Sequence, residues 1–150
     1  MPNFEEILNK PASSITAPQP IPTGTYHCLV EGPATPGKSS VKQTDFLQFK
    51  YKILSPRDDV DAAKAAEQQV IGKFITQDFY VTENETTQFM LKEFCTDTLG
   101  IEESDGNGQS KSLKELVAEA PGKQLLVNIV HNLSRDGKRI YHNVGSTARV

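Results

Sequence analysis

The chain has 150 residues, with 16 Lys and Arg against 19 Asp and Glu and a formal net charge of -3. That length suits one domain that buries its own core. A 37% hydrophobic content with 10 Gly and 9 Pro argues against a wholly disordered or a membranous chain, and no apolar run approaches the roughly 20 residues of a membrane-spanning helix.

In chain order, Phe4, Ile7 and Leu8 fall at helical spacing, so Phe4 to Lys10 predicts a short helix with one apolar stripe, stopped by Pro11. Residues 11–22, rich in Pro, predict a stiff, extended linker, because each Pro disfavours helix in the residue before it. Residues 1–22 thus read as an arm, free to dock on this domain or on a neighbour, and 23–150 as the domain. The first strand is Gly24 to Glu31, with Tyr26, Cys28 and Val30 on its more apolar face. A Gly/Pro/Ser/Lys loop over Gly32 to Lys42 follows. The second strand, Asp45 to Leu54, has the clearest alternation: Leu47, Phe49, Tyr51 and Ile53 on one face, Phe46, Gln48, Lys50 and Lys52 on the other.

A turn at Pro56-Arg57-Asp58-Asp59 leads into an Ala-rich helix, Val60 to Gln69, inserted before the third strand (the insertion spans about 57–70). That strand, Lys73 to Val81, puts Ile75, Phe79 and Val81 on one face and Phe74, Thr76 and Tyr80 on the other. Thr82 with Glu85 fits a capping box for a helix carrying Phe89, Leu91, Phe94, Cys95 and Leu99, closed by Gly100. A polar loop, Glu102 to Gln109, separates it from a second capping box, Ser112 with Glu115, which opens a short helix ended by Pro121-Gly122. Gln124 to Leu133 and Arg139 to Val144 then form a hairpin around the turn Arg135-Asp136-Gly137-Lys138.

Five strands, mostly antiparallel, with a helix between the third and fourth is the order of an OB-fold, a small and partly open barrel. The fold class is therefore mainly β with α. A five-stranded α+β sheet gives the same order.

The start, Met1-Pro2-Asn3-Phe4-Glu5-Glu6, is acidic where a secretory signal is basic and then apolar. Cys28 and Cys95 are therefore expected as buried thiols of a reducing cytoplasm rather than as a disulfide, and the sequons at Asn84 and Asn132 carry no expectation of glycosylation. Gly32-Pro33-Ala34-Thr35-Pro36-Gly37-Lys38-Ser39 matches the phosphate-binding P-loop letter for letter. Its context argues against that chemistry: a strand follows where a helix is required, and Pro33 and Pro36 remove two N–H donors from the cradle. His27, His131 and His142 lie on separate strands without metal-ligand spacing. No nucleophile, acid–base pair or cofactor box stands out, so no catalysis, cofactor or metal is expected.

A binding face remains. Residues 1–120 hold 11 basic and 18 acidic side chains, whereas 121–150 hold 5 basic and 1 acidic, so the acidic mean conceals a basic end. Single strands of nucleic acid are bound by aromatic platforms under the bases and cations along the backbone. Phe46, Lys50 and Lys52 on the second strand, Lys73, Phe74 and Tyr80 on the third, Lys38 and Lys42 in the first loop, and Arg135, Lys138, Arg139 and Tyr141 on the hairpin supply both kinds. The competing reading is that the aromatics pack under the arm, the insertion or the helix.

From Pro22 to Val144 the chain resembles a family of phage and prophage single-stranded-DNA-binding proteins with an OB-fold. The resemblance rests on Ile21-Pro22-Thr23-Gly24-Thr25-Tyr26 at the first strand and Gly37-Lys38 before Phe46-Leu47-Gln48-Phe49-Lys50-Tyr51. It continues with Gly72-Lys73-Phe74-Ile75 before Asp78-Phe79, Thr98-Leu99-Gly100, Ser112-Leu113-Lys114-Glu115-Leu116 before Gly122-Lys123, and Tyr141-His142-Asn143-Val144. It implies a non-catalytic protein that coats single-stranded DNA during phage replication or recombination, in the cytoplasm of an infected bacterial host. Expected partners are single-stranded DNA, phage replication or recombination proteins and a second copy bound through the arm, with no membrane. Many proteins of this role end in an acidic tail, which Ser146-Thr147-Ala148-Arg149-Val150 does not provide. A virion or assembly module on the same fold is the alternative, and a nucleotide-binding enzyme using Gly32–Ser39 the third reading.

Overall fold

The computed structural model describes residues 3–14 and 19–150. Its elements are α1 (Phe4–Leu8), β1 (Gly24–Val30), β2 (Thr35–Lys38), β3 (Asp45–Pro56), α2 (Ala62–Gln68), β4 (Phe74–Tyr80), α3 (Glu85–Glu93), α4 (Leu113–Ala118), β5 (Gln124–Leu133) and β6 (Ile140–Ala148). The protein is mainly β with helices, built on a six-stranded antiparallel sheet.

Strand β3 organises the sheet. Its residues 46–52 pair with β4 along one edge. The opposite edge is shared end to end by β1, on residues 51–56, and β2, on residues 45–48. β5 then pairs with β1, and β6 with β5. The strand at 35–38 corrects the expected loop and the expected count of five. Thr-Pro-Gly-Lys is a poor strand sequence, but the half of β3 beyond the reach of β1 offers unpaired backbone groups that this segment satisfies. The partly open barrel is corrected as well. Parts of β4 and β6 approach within 8 Å, but no ladder joins them, so the sheet is not closed.

Alternation along the strands divides the sheet into two faces. Tyr26, Cys28 and Val30 of β1, Phe49, Tyr51 and Ile53 of β3, Ile75 and Phe79 of β4, and Leu125, Val127 and Ile129 of β5 face inward and are buried. The helices close this side with Leu91 of α3 and Leu116 of α4. Phe94 sits at the centre, its ring centroid 4.7 Å from that of Phe79 and 5.1 Å from that of Phe49. The buried tyrosines keep their hydroxyls satisfied: Tyr26 donates to the Pro22 carbonyl at 2.7 Å and Tyr51 to Gln77 Oε1 at 2.6 Å. Burial pushes the Tyr26 phenol up to about 12, and the free thiols of Cys28 and Cys95 up to about 12 and about 11.

The second capping box forms as expected: Ser112 Oγ accepts from the Glu115 N–H at 3.2 Å, and Glu115 accepts from the Ser112 N–H at 3.4 Å. The first does not. Asn84 caps α3 by accepting from the Thr86 N–H at 2.8 Å, while Thr82 Oγ1 takes the Asn84 N–H and meets Thr87 Oγ1. The nearer Asx side chain wins the helix end. α3 passes at Phe94 into a π-helical turn, Phe94–Thr98; Leu91, Phe94 and Cys95, at i, i+3 and i+4, face inward, and Phe89, two positions before Leu91 and so on the far side of the helix, is exposed. Arg149 holds that turn by donating to the Asp97 and Thr96 carbonyls at 2.8 and 3.0 Å.

In the arm, α1 is short and its apolar stripe of Phe4, Ile7 and Leu8 is exposed. The expected extended linker is broken by a 3-10 turn at Ala12–Ser14, and its residues 15–18 lie outside the described residues. Its last two residues, Ile21 and Pro22, are buried with the body.

Candidate nucleic-acid interface

The outer face of β3 and β4 brings together five of the twelve residues singled out in the sequence. Register alone explains this: Phe46 stands opposite Tyr80, Gln48 opposite Asp78, Lys50 opposite Thr76 and Lys52 opposite Phe74, all on the side away from the core. Phe46 and Tyr80 meet edge to face, centroids 6.3 Å apart. Lys50 Nζ lies 4.1 Å from the centroid of the Phe74 ring, a cation–π contact. Phe74 and Tyr80 are 44% and 48% exposed, so both rings retain free surface. None of the three is in the core. Phe46 is half-buried because its ring packs on β2 at Gly37, where a Cβ would come within 2.6 Å of it.

The face is not uniformly positive. Asp78 lies in its middle and accepts from Gln48 Nε2 at 3.1 Å. Lys38, at the end of β2, is paired with Asp45 at 2.9 Å. Lys42 is exposed in the turn between β2 and β3, where it lines a cleft of about 610 Å³ together with Val41, Tyr80 and Thr87.

The remaining residues belong to the other end of the sheet. Arg135, Lys138, Arg139 and Tyr141 are exposed on the β5–β6 hairpin. Its turn is fastened by Asp136, which accepts from Ser134 Oγ and from the Lys138 N–H, and these bonds hold the Asp136 carboxyl below the usual carboxylate range. No hydrogen-bond ladder joins this group to the β3–β4 face. Lys73, just before β4, stands between them: its charge helps to depress the pKa of His142 on β6.

Two functional candidates had no individual signal in the sequence. His131 and His142 are partners across the β5–β6 ladder, and both reach the backbone of Ile21. The Ile21 N–H donates to His142 Nδ1 at 3.1 Å, and His131 Nε2 lies 2.7 Å from the Ile21 carbonyl oxygen. A carbonyl only accepts, so His131 carries its proton on Nε2. An N–H only donates, so His142 Nδ1 is bare. Burial first, then His131 and Lys73, lowers the His142 pKa from its ordinary value and favours that neutral form. The third histidine, His27, pairs with Gln124 at 2.7 Å on the outer face.

The segment Gly32–Ser39 has strand β2 where a phosphate-binding loop would open a helix. Comparison of the chain with protein-family models and with curated proteins finds no match.

Proposed function

We propose that this protein binds single-stranded DNA with little sequence preference, through stacking and charge, on an OB-like sheet, as a non-catalytic coating protein of phage replication or recombination. The observation that carries the reading is the outer face of β3–β4, which gathers Phe46, Phe74 and Tyr80 with Lys50 and Lys52. A sheet face is the flat platform that stacked bases require, and each stacked base contributes about 1–3 kcal/mol.

The strand order supports the OB reading. With β2 set aside as an addition, β1 lies between β3 and β5, and β4 and β6 stand at the two ends. OB-folds bind oligonucleotides on strands two and three and on the loops that follow strands one and four. Those places correspond here to the β3–β4 face, the connection with Lys38 and Lys42, and the hairpin with Arg135, Lys138, Arg139 and Tyr141.

Fluorescence anisotropy with a labelled poly-dT strand tests the reading. Binding is expected at about 50 mM salt, falling steeply as salt displaces the cation contacts. No binding at that salt overturns it.

The assembly-module reading draws support from the exposed apolar residues Phe4, Ile7 and Leu8 of α1 and Leu133 and Ile140 of the hairpin. A large oligomer that forms without DNA and has no strand affinity favours it.

A further inference from the structure

We propose that the cleft between the linker and the β5–β6 hairpin is a single-nucleotide site of the bound strand, and that the two histidines holding Ile21 set its width. The inference rests on the reading of the protein as a single-strand binder. The cleft encloses about 590 Å³, within the range of small-ligand sites, and is walled by Gln19 and Pro20 on one side and by residues 138–142 on the other. Its chemistry suits one nucleotide. Pro20 and the half-exposed Tyr141 supply flat apolar surface for a base. Lys138 and Arg139 supply charge for a phosphate, and among the described residues neither is engaged in an ion pair.

The linker wall stands at this distance because Ile21 is held at both its N–H and its carbonyl. His142 accepts and His131 donates, from facing positions on the two hairpin strands. Pro20 is covalently next to the residue so held. The hairpin cations would otherwise be an exposed fringe of the sheet; with the linker docked they become one side of a slot. The charged and titratable groups around the clasp are His131 across the ladder, Lys73 from the approach to β4, Lys138 and Arg139 along the hairpin, and Asp59, Asp61, Lys64 and Glu67 from the α2 side of the linker.

The test compares binding of poly-dT by wild type and three full-length variants, with hydrogen exchange at the Ile21 amide as the structural readout. His142→Phe removes the acceptor. It is expected to expose the Ile21 amide to exchange and to weaken binding about fivefold or more, the loss of one stacked base. His142→Asn keeps an acceptor oxygen near the place of Nδ1 and is expected to protect the amide and bind like wild type. Pro20→Gly removes one wall without touching the core and is expected to weaken binding while the body stays folded. That variant decides the matter should His142→Phe misfold. The inference falls alone if wild type binds and Pro20→Gly and an Ile21-exposed His142→Phe bind equally well, or if His142→Phe leaves the amide protected. If wild type does not bind poly-dT, the reading of the function falls and the nucleotide site with it.

Discussion

The two faces of β3 share one backbone and one set of ladders, yet they do opposite work. Inward, Phe49, Tyr51 and Ile53 are fully buried; Phe49 meets Phe79 and Phe94, and Tyr51 meets Phe94. Outward, Phe46 meets Tyr80 edge to face, Gln48 donates to Asp78, Lys50 lies over the Phe74 ring and Lys52 is half-buried. A period of two residues lets neighbouring positions serve the core and the proposed binding face separately. Substitutions on the two faces should therefore separate cleanly in their effects.

The largest effect is expected inside. Phe94→Ala empties the centre of the aromatic cluster and should lower unfolding stability by about 3–5 kcal/mol, measured by urea denaturation. Lys50→Glu on the outer face combined with Arg139→Glu on the hairpin should weaken poly-dT binding about tenfold or more and reduce the salt slope by about two, with thermal stability unchanged. Unchanged affinity would move the site off both places, and a lowered melting temperature would break the separation itself. Phe74→Ala should cost about 1 kcal/mol or more of binding through the lost stack, with a smaller change in stability because the ring is 44% exposed. The smallest expected effect depends on pH and tests the hairpin rather than β3. His142 has a lowered pKa in the folded protein, so its contribution is complete above its ordinary value of 6.5 and fades as pH falls below it. The protection of the Ile21 amide, its exchange rate taken relative to the intrinsic rate at each pH, should fall on going from pH 7.5 to pH 5 in wild type, and not in His142→Asn.

Much of this was legible in the sequence where the code is local. The alternation of Asp45 to Leu54 specifies both faces of β3, and Ser112 with Glu115 specifies the start of α4. The Asp136-Gly137 turn specifies the hairpin, and counting back from it through Leu133 and Ile140 places His131 opposite His142. That count was the available signal for the clasp, but its other half, Ile21, lies 110 and 121 residues away and no spacing rule reaches it. β2 was illegible for a related reason. Thr35 to Lys38 becomes a strand because of what β3 lacks at that edge, not because of its own side chains. Thr82 and Asn84 competed for one helix end, and sequence pattern alone favours the capping box that did not form.

The Ala-rich insertion has a bearing on how modular this domain is. Val60, Ala65 and Val70 are buried with the core, and Asp59 takes both the N–H and the hydroxyl of Thr25 at 2.8 Å. Those bonds hold the Asp59 carboxyl below the usual carboxylate range. Gly24, with φ +132°, passes so close that a Cβ there would stand 2.6 Å from Val60 Cγ2. The segment is therefore not a cassette that can be excised or transplanted by its ends. Part of its specification is written on β1, as a glycine followed by a hydroxyl donor, and a sheet that lacks that pair cannot receive it without strain.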